Sequence, residues 1–433
     1  MKYDLLIKGV LIPERGKADI AISDGKIVKI GENLEGDAKE IILGNEKIAF
    51  PSFANMHTHI SMTLLRGLGA DLPLMDWLQK VIWPLEGEFV SPEFVKEGGL
   101  LGIVEAIKSG TTLFMDMYFY EEHLGEVCEE VGIRAGLGFG ILDFPTKVAK
   151  TPEEYIKKAE KFARELKGHE LVFPVICPHA PYTCSPKTLL KAKEVADRYN
   201  LILHIHVSET KGEVERIKEE YGKTPIKHLE DIGFLGGNVL CAHVVWSDEE
   251  EREILKERNV KVAHCPESNL KLASGIAPIP DYLKRGITVC LGTDGAASND
   301  NLNMHEEMAT CAKLHKGANL DAKAIDAKTA LKIATENGFK AVGIKAGRIE
   351  EGYEADIILV RSDTPEMTPL YDPVAQFVYS ASSEAIDTVI CKGKILMEKR
   401  ELKTVDEEEV YAKAKKWEEK IKNFLTRSQQ ARE

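Results

Sequence analysis

Two histidines one residue apart, His57 and His59, close the stretch FANMHTH. A strand would turn both rings to one face, because side chains at i and i+2 share a side. Twelve histidines in 433 residues make one chance His-x-His pair unsurprising, so the pair matters only through what recurs with it. The ends of later apolar runs carry His179 in CPHAPY, His206 in HIHVSE, His243 in CAHVVW, His264 in AHCPES and Asp294 in GTDGAASN. Glu209 follows His206 by three residues. A lone histidine at a strand end is more often a packing residue held by a hydrogen bond. Imidazoles and a carboxylate gathered from six strand ends are instead the donor set of a catalytic zinc or iron(II) ion that leaves one position to water. His204, on the face of His206 but deeper, reads as an interior residue or a neighbour that orients such a ligand. His264 stays open between neighbour and core, while His123, His169, His228 and His315 fall in helical or loop segments and read as surface or structural residues.

Such a cluster needs strands that end at one place. From residue 48 the chain repeats a short apolar or β-branched run, a polar loop and an amphipathic segment. The runs are IAFPSFANMHTH, TTLFMDMY, IRAGLGFGIL, LVFPVICPHA, LILHIHVSE, VLCAHVVW, VKVAHCPESN and ITVCLGTDG. Segments between them, such as TPEEYIKKAEKFARELKG and SPKTLLKAKEVADRYN, open on Ser or Thr and stop at Gly or Asn, as helices do. Alternating strands and helices predict a parallel sheet, and eight units predict an α/β fold of the (β/α)8 TIM-barrel type over residues 51–344. Its active site would form at the C-terminal strand ends, where the histidines fall. A doubly wound open sheet is the alternative, but no G-x-G-x-x-G opens the first unit.

The flanks read differently. YDLLIKGVLI and DIAISDGKIVKIG look like strands with a hairpin turn at Asp24-Gly25. GRIEEGYEADIILV and DTVICKGKILM share that style, with turns at Gly352 and Lys392-Gly393. Residues 1–50 and 345–404 are therefore expected to build one small composite β-sandwich domain. Residues 405–433 are expected to form a charged amphipathic helix, solvated or serving an oligomer contact.

Composition narrows the function classes. Apolar residues make up 44% and charged residues 29%, with a net charge of −13. That acidity argues against a nucleic-acid surface, which needs clustered Lys and Arg. No 18-residue apolar run appears and the start lacks a signal-peptide apolar core, so no membrane contact and a cytoplasmic location are expected. Eight cysteines include no C-x-x-C pair, which disfavours a thiolate zinc site or a disulfide framework.

Taken as an ordered set, HTH, HVSET, AHVVW, SNLKLASGIAP, GTDGAASN and GRIEEGYEAD resemble the amidohydrolase superfamily, in the branch of 5′-methylthioadenosine/S-adenosylhomocysteine deaminases and related chlorohydrolases. The resemblance spans nearly the whole chain. It implies one divalent metal per chain, zinc or alternatively iron(II), held by His57, His59, His206 and Asp294. The fourth run ends in His179 where a binuclear relative would supply a lysine, so a mononuclear site is implied. The other zinc deaminase class uses H-x-E and P-C-x-x-C, which this chain lacks. The resemblance assigns Glu209 to proton work at purine N1, Asp294 to the proton released by water, and His243 to orienting that water. Glu86 in WPLEGEF would bind ribose hydroxyls, Trp77 would pack near the nucleoside, His179 would touch the ribose and Ser298 would sit in the eighth loop.

One departure bears on specificity. Relatives that accept S-adenosylhomocysteine use arginines in and after the third strand, and here no arginine lies between Arg134 and Arg164. Phe139 occupies the strand, with Lys147 and Lys150 nearby. The expected substrates are therefore nucleosides with a small or neutral 5′ group: 5′-methylthioadenosine, 5′-deoxyadenosine and adenosine. S-adenosylhomocysteine stays open through a lysine. A triazine or chloro-heterocycle hydrolase, or a guanine or pterin deaminase, is the alternative within the superfamily; a non-enzymatic barrel is a third reading that the complete ligand set disfavours. A homo-oligomer, dimer or tetramer, is the expected assembly.

Overall fold

The computed structural model describes residues 2–166 and 168–430. Eight parallel strands carry the site: β1 (Phe53–Thr58), β2 (Thr111–Tyr118), β3 (Arg134–Ile141), β4 (split into Val172–Pro174 and Cys177–Pro178), β5 (Leu203–Val207), β6 (Val239–His243), β7 (Lys261–His264) and β8 (Val289–Leu291). They pair as two parallel sheets, β4-β3-β2-β1 and β5-β6-β7-β8. Backbone bonds cross both gaps between the sheets: His204 N donates to Ile176 O at 2.8 Å and Asp294 N to His57 O at 2.9 Å. The result is a TIM-barrel-like α/β fold.

At the β8–β1 gap the Asn55 side chain stands in for ladder bonds, accepting from Thr293 N at 3.0 Å and donating to Thr293 Oγ1 at 2.8 Å. Gly292 lets the two strands approach, since a Cβ there would sit 2.7 Å from His57 N. One apolar cluster takes Ala54, Met56, Leu113, Met115, Val175, Leu240, Ala263 and Cys290 from successive strands. In a regular strand, Ala54 and Met56 would face opposite to His57 and His59. The β1–β2 register slips between Asn55 and Thr58, so three steps on β1 match two on β2. This bulge turns the histidines inward as well.

A nine-stranded sheet joins both ends of the chain, with Lys47–Pro51 between Lys2–Ile12 and Ile357–Arg361. Its strands are hydrogen-bonded into one continuous sheet, and Leu5, Ile20, Ile27, Ile357 and Ile390 share one cluster. The expected hairpins are present. Asp24 and Gly25 both have positive φ between Ser23 and Lys26, as do Lys392 and Gly393 between Cys391 and Lys394, the backbone of a tight hairpin. Buried Arg134 pairs with Asp356 at 3.0 Å, tying β3 to this sheet.

Two sequence runs divide where a continuous strand was expected. IAFPSFANMHTH splits at Ser52, since Lys47–Pro51 belongs to the nine-stranded sheet and only Phe53–Thr58 to the parallel one. VKVAHCPESN stops as a strand at His264, and Pro266 opens a short helix to Lys271, the position where a missing N–H is harmless. The helix Glu407–Gln430 is not wholly solvated: Trp417 and Ile421 are buried, and Trp417 meets Phe94 edge-on at 5.3 Å. Among the described residues, no helix is long and apolar enough to cross a membrane.

Candidate active site

Four donors converge at the C-terminal ends of β1, β5 and β8. Asp294 Oδ1 lies 3.3 Å from His57 Nε2 and 3.2 Å from His59 Nε2, and His206 Nε2 is 3.4 Å from His59 Nε2. Ligands about 2.0–2.1 Å from a tetrahedral zinc would stand about 3.3 Å apart, so the spacing suits one ion. The tautomers agree. His59 Nδ1 faces Met117 O at 2.6 Å and His206 Nδ1 faces His179 O at 2.7 Å, and carbonyls only accept. His204 Nδ1 faces Leu240 O at 3.0 Å, which leaves His204 Nε2 to accept from His57 Nδ1 at 2.8 Å. All three rings therefore present a bare Nε2 inward, and His57 Nε2 has no hydrogen-bond partner.

The corner is built to receive positive charge. Burial would keep His59 neutral, yet Asp294 and Asp116 push its pKa up to about 9. Asp294 is held well below the usual carboxylate range; burial opposes this, and the His57 and His59 rings outweigh it. Its Oδ2 accepts from Ser268 Oγ at 2.7 Å and Ser298 Oγ at 2.8 Å, so Oδ1 is left for the centre. These contacts give the corner the donors, charge and geometry of a divalent metal site.

Glu209 and His243 flank it, with Glu209 Oε2 3.8 Å from His243 Nε2. Burial first, then the Asp294 and Glu213 carboxylates, raise Glu209 well above its ordinary pKa, which favours its protonated form. Backbone N–H groups of Ser208 and Glu209 donate to the two oxygens of buried Glu213 at 2.7 and 2.8 Å, which fixes this turn. Positive φ at Ser208, His243, Val244 and Asp294 concentrates strained backbone here.

The donors open into a cavity of about 780 Å³, its mouth included, lined by His59, Trp77, Glu86, His179, His206, Glu209, His243, Asp294 and Ser298 among others. His57 lies behind Asp294, fully buried. Ser298 bonds Asp294 rather than projecting free. Trp77 Nε1 donates to Leu68 O at 3.1 Å and Tyr118 OH to Glu86 Oε1 at 2.8 Å. Burial lifts Glu86 to about 7, with Tyr118 and His59 pulling it back. His179 Nδ1 sits 2.9 Å from Thr183 Oγ1, and burial drops its pKa to about 3, so the ring is neutral.

Other residues fall elsewhere. Arg134 is consumed by Asp356 and Glu354, and Phe139 packs on Phe162. Lys147 lines an adjoining cavity with Trp83, Phe119 and Phe144, its Nζ donating to Glu88 O at 2.6 Å; Lys150 caps Thr146 O. His264 turns away from the donors and meets buried His315 at 3.0 Å. Sequence reading missed Tyr118, Tyr182 and Glu213. Tyr118 ends a strand run and was visible as such, and Thr210 with Glu213 spells a capping pattern, but their partners are distant in sequence.

A family model described as the amidohydrolase family matches residues 48–396. The chain belongs to that family. This amidohydrolase is 79% identical over 426 residues, 98% of its own length and 99% of the other's, to a 5-methylthioadenosine/S-adenosylhomocysteine deaminase of Aquifex aeolicus. It is 44% identical to a 5′-deoxyadenosine deaminase of Methanocaldococcus jannaschii, covering 97% of this chain and 100% of that one. A crystal structure of an adenosine deaminase from Xanthomonas campestris with bound zinc matches at a TM-score of 0.95 and 35% identity, covering 98% and 99% of the two chains. The amidohydrolase thus falls in the 5′-methylthioadenosine/S-adenosylhomocysteine deaminase branch.

Proposed function

We propose that this amidohydrolase deaminates adenosine-type nucleosides, taking up water and releasing ammonia and the inosine analogue. The observation that carries the reading is a single cavity lined by the buried carboxyl of Glu209 beside the four-donor corner and by a second carboxyl, Glu86. His57, His59, His206 and Asp294 would hold the ion, zinc in preference to iron(II). A divalent ion there supplies Lewis acidity that brings the pKa of water near 7. Glu209 gives its proton to purine N1 as C6 is attacked, Asp294 takes up the proton of the attacking water, and a proton passes on to the departing amine. Glu86 accepts from the ribose hydroxyls, and Trp77 and His179 bound the sugar side.

The substrates we favour are 5′-methylthioadenosine, 5′-deoxyadenosine and adenosine. The space next to Glu86 is walled by Trp83, Val90, Phe119, Leu142 and Phe144, and Lys147 is its one cationic lining residue. That lining suits an apolar 5′ group better than an amino-acid carboxylate. The named activities of the Aquifex and Methanocaldococcus relatives agree with this range. The test is a panel varying the 5′ group, with ammonia release and the adenine-to-hypoxanthine absorbance change as readouts and metal content measured alongside. Turnover of a chlorinated triazine or a free base with no nucleoside turned over would overturn the proposal.

A further inference from the structure

Four imidazoles crowd the centre, and the donors allow two overlapping ligand sets. His57, His59 and Asp294 form one, with His59 half-buried; His57, His206 and His243 form another, wholly buried, and within each set the donors lie within ligating reach of one another. His243 stands 5.3 Å from His57 and 5.6 Å from His206, ring centre to ring centre, and its Nε2 has no partner. Nothing in its position alone keeps it from binding the ion.

Its outer partner differs from those of His59, His206 and His204, the last of which in turn accepts from His57. Where Nδ1 of His59, His206 and His204 each face a carbonyl, His243 Nδ1 faces the Asn269 amide nitrogen at 3.0 Å. An amide N–H only donates, so His243 Nδ1 accepts and the ring proton sits on Nε2. The opposite amide orientation would bury an NH2 group at the site of Oδ1, which has no partner, leaving both N–H groups without an acceptor where the present one satisfies the first of them. The short helix Pro266–Lys271 positions both catalytic neighbours, since Ser268 bonds Asp294 from the same turn. Glu307, fully buried, anchors that turn through Glu267 N at 3.2 Å.

We infer that Asn269 is a positioning residue that locks the His243 proton onto Nε2, so that His243 stays off the metal and serves the reaction as a hydrogen-bond donor. This rests on the deaminase reading for its kinetic arm only. Asn269→Asp is the decisive variant, because a carboxylate of the same shape can only accept, moves the proton to Nδ1 and frees Nε2 as a fourth imidazole ligand. In Asn269→Ala, kcat should fall about 10- to 100-fold with KM and metal content unchanged. Asn269→Asp should fall at least as far, and its cobalt(II) form should show the weaker visible absorption of a higher coordination number. In the zinc-loaded wild-type protein, 15N–1H correlation of histidine rings should place the His243 proton on Nε2, with the signal assigned by its loss in His243→Asn. Retention of wild-type kcat by Asn269→Asp, or a wild-type spectrum with the proton on Nδ1, would overturn the inference. The spectrum needs no substrate, so it decides the tautomer even if no nucleoside is turned over, and it stands if Asn269→Asp fails to fold.

Discussion

The two walls of the cavity are fastened differently. At the metal corner each donor side chain is fixed by a neighbour: Met117 O holds His59, His204 holds His57 and His179 O holds His206, while Ser268 from a helix and Ser298 from the same loop hold Asp294. The other part of the lining, around Trp77 and Glu86, comes from residues 74–89, where a π turn at Leu78–Ile82 interrupts the helix, with Phe119, Leu142 and Phe144 beside it. Trp77 and Glu86 are each anchored there by one side-chain bond. Interlocked bonds preserve a geometry to tenths of an ångström, whereas a singly pinned apolar wall can be reshaped without moving the donors. On the proposed reading, catalysis and substrate choice draw on these differently fastened parts of one cavity.

The contrast can be broken most directly at Asp294. Asp294→Ala should lose bound metal and more than about a thousandfold in turnover, checked by elemental analysis and ammonia release. Retention of both would show that the corner is not the metal site. Glu209→Gln should keep the metal and lower kcat about 100- to 10,000-fold; an unchanged rate would move the acid elsewhere. His204→Phe removes the acceptor that sets the His57 tautomer, and chelator competition should show metal affinity about 10- to 100-fold weaker.

The smallest effect belongs to the pliable wall. Tyr118→Phe removes one bond to Glu86, worth about 1 kcal/mol, so KM should rise about fivefold with kcat unchanged. Because Glu86 is raised to about 7, its carboxylate is lost as pH falls through that value. KM for ribosides should therefore climb on acidification, and the climb should move to higher pH in Tyr118→Phe, where a contact that lowers the pKa is gone. A 2′,3′-dideoxy analogue should show no such climb. A kcat effect as large as the KM effect would blur the division between the walls.

Much of the metal corner was legible because its signals are local. The 57/59 pair, a histidine on the fifth run with Glu209 three residues on, and Asp294 after the eighth run each follow from short patterns set by strand periodicity. The face of His57 and His59 was not. It depends on a bulge between Asn55 and Thr58, and a bulge is set by what β2 and β8 offer across the gap. His264 shows the same limit. Its position at a strand end matched the ligands, yet His315, fifty-one residues away, takes its ring.

The sequence by itself determined the alternation of strands and helices, the end of the fold where polar donors collect, the acidic character and the family. These follow from periodicity, composition and ordered motifs, all properties of neighbouring residues. Only the tertiary structure decided which nitrogen of each imidazole is bare, which carboxyls have raised pKa values and which side chains are interlocked. Tautomers and pKa values are set by atoms within about 3 Å and by exclusion from water. Those atoms come from other elements of the fold: Leu240 for His204, Asn269 for His243, Tyr118 for Glu86.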